Sequence, residues 1–206
     1  MEDVRGLKEL QLDALREVAN IGGGHAATAL SQMTNRTIMI SVPEVNVRPL
    51  EDVSDLFGKP DSVIAAVLMH MMGDLTGRTL LIFPDDSART LCDTLFRRAP
   101  GTTTTFGPME QSGLKEVGNI LVSAYMTALS DFMGMMLVPS VPSLVVDLNG
   151  AILTTTYLNF GHDRDFVFCV ETSFRVEGTN EQLVGHFLLM PDLPSLRAIF
   201  DAIRLG

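Results

Sequence analysis

Leu12-Asp13-Ala14-Leu15-Arg16-Glu17-Val18-Ala19-Asn20-Ile21 is written a second time, as Gln111-Ser112-Gly113-Leu114-Lys115-Glu116-Val117-Gly118-Asn119-Ile120. At an offset of 99 residues, Leu15, Glu17, Val18, Asn20 and Ile21 meet Leu114, Glu116, Val117, Asn119 and Ile120. The match continues through Thr28-Ala29-Leu30-Ser31 against Thr127-Ala128-Leu129-Ser130. It ends at Pro43 against Pro142, so each Asn stands 23 positions before a proline. Two copies with the same internal spacing are a duplication.

Both copies read as two-faced helices. Leu15, Val18, Gly22, Ala26, Ala29 and Met33 recur at spacings of three and four, as do Leu114, Val117, Leu121, Tyr125, Ala128 and Phe132. That is the stripe of a helix packed on a core. The opposite stripe carries Asp13, Glu17 and Asn20 in one copy and Ser112, Glu116 and Asn119 in the other. Side chains three and four apart share a helix face, so each trio projects together. One polar trio alone reads as a solvated face; the same acid and the same amide written twice point to a site.

The first helix is expected from near Val4 to about Met33. Gly22-Gly23-Gly24 marks either a close approach of another backbone or an interruption, since helical glycine costs about 1 kcal/mol against alanine. Gly22 to Ala27 also fits a loose dinucleotide-binding pattern. That pattern has meaning only after a strand, and here a helical segment precedes it. A strand broken or edged at Pro43 is expected over Thr37 to Val47, followed by a loop over Asp55 to Asp61. Ser62 to Met72 and Arg78 to Phe83 read as a strand pair around Gly73 to Gly77. Pro84 to Ser87 starts a helix with Leu91 and Leu95 inward, Arg97-Arg98 at its C-terminal dipole and Pro100-Gly101 as its stop. Thr102 to Thr105 is a polar linker.

The second half repeats the order. A helix over about Pro108 to Phe132 precedes strand-like stretches at Ala151 to Leu158, Asp165 to Val176 and Leu183 to Met190. Pro191-Asp192-Leu193-Pro194 then opens a last helix through Ile203. Leu81 to Asp85 and Leu188 to Asp192 correspond at an offset of 107, so the second half carries eight extra residues, expected in a hairpin. The reading is one α/β domain over residues 1–206. It has helix–strands–helix halves at about 4–99 and 106–206, related by a pseudo-two-fold around a shared β-sheet core.

Composition narrows the chemistry. At 206 residues and 46% hydrophobic the chain can bury a sizeable core, and its formal charge of -10 disfavours nucleic acid and anionic membranes. No apolar run approaches the ~20 residues of a membrane helix, and the N-terminus lacks the pattern of a signal peptide. Cys92 and Cys169 read as reduced core residues, which suits the cytoplasm. His25, His70, His162 and His186 are scattered, so neither a metal site nor another cofactor of the chain's own is expected. No Walker loop or nucleophile elbow occurs. What remains is a carboxylate with an amide one turn on. An amide donates and accepts at once, which suits it to orienting a water; a carboxylate can pair with a partner's cation. Hydrolysis of a labile acyl phosphate needs little more than such positioning.

These two segments resemble the CheC family of chemotaxis phosphatases. The family signature is Asp or Ser, three residues, Glu, two residues, Asn, 22 residues, Pro. Asp13, Glu17, Asn20 and Pro43 match it, and so do Ser112, Glu116, Asn119 and Pro142. The resemblance implies a CheC-like α/β fold and a phosphatase acting on the phosphoaspartate of a CheY-type response regulator. It implies that Asn20 and Asn119 orient the hydrolytic water, that Glu17 and Glu116 engage a basic group of CheY, and that Mg²⁺ sits on CheY. It offers CheD as a further partner, and the chain is expected to be a monomer. His25 stands where the family usually shows Asn, and the glycine run is absent after Asn119. The alternatives are an adaptor binding CheY, CheD or the flagellar switch without turnover, and a purely structural duplicated domain.

Overall fold

The computed structural model describes residues 9–41, 44–49, 53, 57–160, 166–177 and 182–205, and these described residues form five helices and eight strands. The first half comprises α1 (Glu9–Thr34), β1 (Ile38–Ile40), β2 (Glu44–Pro49), β3 (Val63–Gly73), β4 (Gly77–Pro84) and α2 (Asp85–Leu95). The second comprises α3 (Pro108–Met133), β5 (Leu137–Pro139), β6 (Ser143–Leu148), α4 (Asn149–Phe160), β7 (Phe166–Val176), β8 (Gln182–Pro191) and α5 (Leu193–Leu205).

The halves are interlocked by strand pairing. The sheet order is β1-β7-β8-β4-β3-β5, with β2 also on β7 and β6 also on β3. All pairs are antiparallel. Each half therefore lends its short strands to the other half's long strand, and neither completes its own sheet. The registers obey the duplication: Ile38 faces Val176, and Leu137 faces Gly73. The pseudo-two-fold passes through the central β4–β8 pair, where Leu80 faces Leu188 and Leu81 faces Phe187.

Alternation along the strands separates two cores. Ala65, Val67, Met69 and Met71 of β3 face α1, α2, α3 and α5. Ile64 and Ala66 face the opposite side, with Val53, Phe57 and Ile152 of α4. The helical stripes are buried as expected at Leu15, Val18, Leu114, Val117 and Tyr125, but their last members are not. Met33 and Phe132 are 38% and 43% exposed, while Leu30 and Leu129 are buried. A 3.6-residue repeat drifts off any fixed column over seven turns.

Glycine resolves the alternative at residues 22–24 in favour of close approach. α1 is continuous there, and a Cβ on Gly22 would lie 2.7 Å from Tyr125 Cδ1 and 3.0 Å from Tyr125 Cα. On α3, a Cβ on Gly118 would lie 2.6 Å from Val67 Cγ1, so that helix sits directly on β3.

The segment 151–158 is a correction: it belongs to α4, not to a strand. Isoleucine and three consecutive threonines favour a strand intrinsically, yet Ile152 and Thr156, four apart, are both buried, as one face of a helix requires. β5 and β6 went unanticipated, although the offset of 99 projects β1 and β2 onto them. The eight extra residues are also divided. The offset is 103 at β3 and β7 and 107 at the ends of β4 and β8, so four enter between β6 and β7, where α4 lies, and four in the following hairpin. The starts of α1 before Glu9, Pro43, and residues 55 and 56 of the expected loop lie outside the described residues.

The linker between halves is pinned rather than loose. Buried Asp93 accepts hydrogen bonds from Thr102 N (3.0 Å), Thr103 N (2.9 Å) and Thr103 Oγ1 (2.6 Å). Arg98 does not serve the dipole of α2; it reaches Glu110 at 2.7 Å, and this hydrogen bond holds the Glu110 carboxyl below its ordinary range.

One buried base makes stability depend on pH. His186 is 5% exposed, packs edge-on to Phe57 at 4.9 Å, and keeps Nδ1 3.7 Å from Glu171 Oε2, beyond hydrogen-bond range. Burial pushes its imidazole down to about 4. In the unfolded chain the value is about 6.5, so the folded state binds fewer protons between these limits. The contribution is complete above about pH 6.5 and is lost as pH falls toward 4, about 3 kcal/mol in all. Urea unfolding of the wild type should lose that much more stability than His186→Gln over this interval. Parallel pH dependences would contradict the assignment.

Candidate functional site

The outward faces of α1 and α3 carry the residues singled out by the repeat. Asp13, Glu17 and Asn20 are all exposed on α1; Ser112 and Glu116 are exposed on α3, and Asn119 is half-buried. Beneath them Leu15, Val18 and Ala19, and in the second copy Leu114, Val117 and Gly118, turn into the core. Each helix thus fixes its polar face by what it buries. The duplication places the two faces at equivalent points of the fold, each trio complete on its own helix.

Among the described residues, none hydrogen-bonds or ion-pairs with the side chains of Glu17, Asn20, Glu116 or Asn119. Two carboxylates and two amides are therefore available to a partner. Asp13 differs, since its Oδ1 accepts from Arg16 Nη1 at 2.6 Å. With both groups about half exposed, that ion pair contributes at most about 1 kcal/mol.

Pro142 is half-buried in the gap between β5 and β6, where a missing N–H removes no ladder bond. Two residues earlier Ser140 clamps the arm to β3: its N donates to His70 O and its Oγ accepts from His70 N, both at 2.9 Å. Ser41 makes the equivalent bonds to Ser173 of β7, at 2.9 and 3.3 Å. Pro43 itself is outside the described residues. The serines of the repeat, Ser31 and Ser130, also turn helix into strand. Ser31 Oγ donates to Ala27 O at 2.6 Å and accepts from Ile38 N at 2.8 Å, and Ser130 Oγ donates to Met135 O.

The chemistry of these faces is that of a surface. The space under the first trio is an apolar cavity of about 50 Å³ among Leu15, Val18, Ala19, Tyr125 and Phe187. That void is far below the roughly 300–1,000 Å³ of small-molecule pockets, and it is lined by core side chains and not by Glu17 or Asn20. Buried Cys92 is pushed up to about 12, chiefly by burial, which removes it as a nucleophile. Among the described residues, no three His, Cys, Asp or Glu side chains converge as metal ligands would. No described helix is long and apolar enough to cross a membrane. His25 is exposed on α1.

Sequence reasoning passed over Arg16 and Lys115. They occupy equivalent positions, four residues before each Asn, and the repeat itself was the available signal.

The fold and these faces define a class: internally duplicated α/β proteins presenting a Glu and an Asn, unpartnered among the described residues, on each of two equivalent helices. The CheC-like family profile matches residues 10–47 and 109–146, the two stretches that contain them. Over 205 residues the chain is 34% identical to the CheY-P phosphatase CheC of Bacillus subtilis, covering 98% of each. It is 29% identical over 129 residues to the flagellar motor switch phosphatase FliY of the same organism, covering 62% of this chain and 33% of that one. Among solved structures, FliY of Thermotoga maritima superposes with a TM-score of 0.80 at 20% identity, covering 97% of this chain and 98% of that one. The chain belongs to the CheC-like family.

Proposed function

We propose that this protein is a chemotaxis phosphatase that hydrolyses the phosphoaspartate of a CheY-type response regulator. The observation that carries the reading is the repeated, outward-facing Glu–Asn pair, without hydrogen-bond or ion-pair partners among the described residues, in a chain 34% identical along nearly its whole length to a protein named for that activity. Glu17 or Glu116 docks on a basic group of the regulator through a charge-assisted hydrogen bond. The neighbouring Asn20 or Asn119 enters the regulator's active site and fixes a water in line with the phosphorus. Water oxygen bonds to phosphorus, and the bond from phosphorus to the aspartyl oxygen breaks with its electron pair going to the carboxylate. The water's protons pass to the released phosphate and solvent. Orientation and electrostatics suffice for so labile a bond. Magnesium belongs to the regulator, and the chain contributes no metal or nucleotide of its own. CheD as a second partner, a single copy as the working unit and a cytoplasmic setting complete the proposal.

Because each pair is local to its helix, the two sites should act additively. Asn20→Ala and Asn119→Ala should each leave the other site's rate of phosphoryl loss from the regulator. Complete loss of activity from either single substitution, with the fold intact, would show one composite site instead.

A further inference from the structure

We infer that Arg16 and Lys115 are a third member of the two sites, each a cation that meets the phosphoryl oxygens beside the water-orienting amide. This rests on the phosphatase reading and extends it to residues outside the Asp/Ser-Glu-Asn-Pro motif. A helix turns about 100° per residue, so Arg16 lies about 40° to one side of Asn20 and Glu17 about 60° to the other. The same holds for Lys115, Asn119 and Glu116. In both copies the amide therefore stands between an anion and a cation, and the sign on each side is the same.

The arrangement answers a problem of charge. The phosphoryl group is a dianion in the ground state and spreads its charge over three equatorial oxygens as the bond breaks. A docking carboxylate one turn from the amide repels it. A cation on the amide's other flank offsets that repulsion where the charge moves, and a guanidinium or ammonium on a long stem spans the distance to the amide's tip. The structure keeps both cations accessible. Arg16 is about half exposed, and its carboxylate partner Asp13 is exposed too, so the pair is weak enough to exchange for a phosphate. At the second site the residue three positions earlier is Ser112, which carries no charge, and Lys115 is half-buried. The cation contributes no proton or electron to the reaction; it stabilises the charge that hydrolysis already develops.

The test reads one site at a time with the full-length chain and a phosphorylated CheY-type regulator. In an Asn119→Ala background, Arg16→Ala should lower kcat roughly tenfold while KM stays within about a factor of two. Arg16→Lys should restore most of the loss, and Tm should not move. In an Asn20→Ala background, Lys115→Ala and Lys115→Arg should behave likewise. An unchanged kcat for the alanine variants would overturn the inference, as would a change confined to KM, which would mark the cations as docking groups only. If turnover survives both Asn substitutions, the phosphatase site itself has been misplaced. Loss on Asn substitution without loss on Arg16 or Lys115 substitution would instead sink this inference alone.

Discussion

Replacing Asn20 and Asn119 together by alanine should reduce regulator dephosphorylation to its uncatalysed rate. Removing an oriented hydrogen-bonding group from a transition state costs on the order of 10²-fold in kcat, and the double change takes from each site the group proposed to position water. Both side chains are outward on helices whose cores are untouched by the change, so stability should hold. Binding of the phosphorylated regulator should also persist, because Glu17 and Glu116 remain. Glu17→Gln with Glu116→Gln should show the opposite pattern, with a raised KM as its main effect. Stopped-flow decay of the phosphorylated regulator separates the two. Loss of binding with normal turnover in the Asn variant would contradict the division of roles.

Gly22→Leu should strongly destabilise the fold. A Cβ there already falls 3.0 Å from the Tyr125 Cα, which is main chain and cannot rotate aside. Tyr125 is itself fixed, its hydroxyl 2.7 Å from Thr172 Oγ1 and its ring stacked on Phe187 at 5.0 Å. Overpacking typically costs about 1–3 kcal/mol, and a contact with backbone belongs at the upper end. For a chain of this size, about 3 kcal/mol lowers Tm by roughly 10 °C. The helix that carries Glu17 and Asn20 would be pushed from its seat, so calorimetry and phosphatase assays should move together. A wild-type Tm would mean that the glycine is not where the two helices meet.

The duplication makes most of this protein legible in its sequence. The exposed trio, the buried Leu15 and Val18, and the separation of inward from outward residues all follow from period and offset. The failures share a cause, which is that propensity and local order cannot see pairing partners. Thr154, Thr155 and Thr156 favour a strand until the sheet face beneath Ile152 is known to need a helix. The exchange of short strands between halves is a tertiary choice, set by registers such as Ile38 with Val176 that no local pattern records. The role of the motif proline was opaque for the same reason. Its meaning lies in Ser140 and the β3 strand it clamps, 70 residues away. Arg16 and Lys115 were legible, being repeated at one position, but a charged residue on an exposed face looks like solvation until the amide beside it has a task.

The central claim is most directly tested by following a phosphorylated CheY-type regulator with this protein present well below the regulator's concentration. The account predicts that loss of the phosphoryl group accelerates over many turnovers, with inorganic phosphate released in step. Acceleration should grow in proportion to the protein added and vanish with the Asn20→Ala, Asn119→Ala double variant. Regulator that binds the protein but keeps its phosphoryl group for its intrinsic lifetime would contradict the account and leave an adaptor in its place.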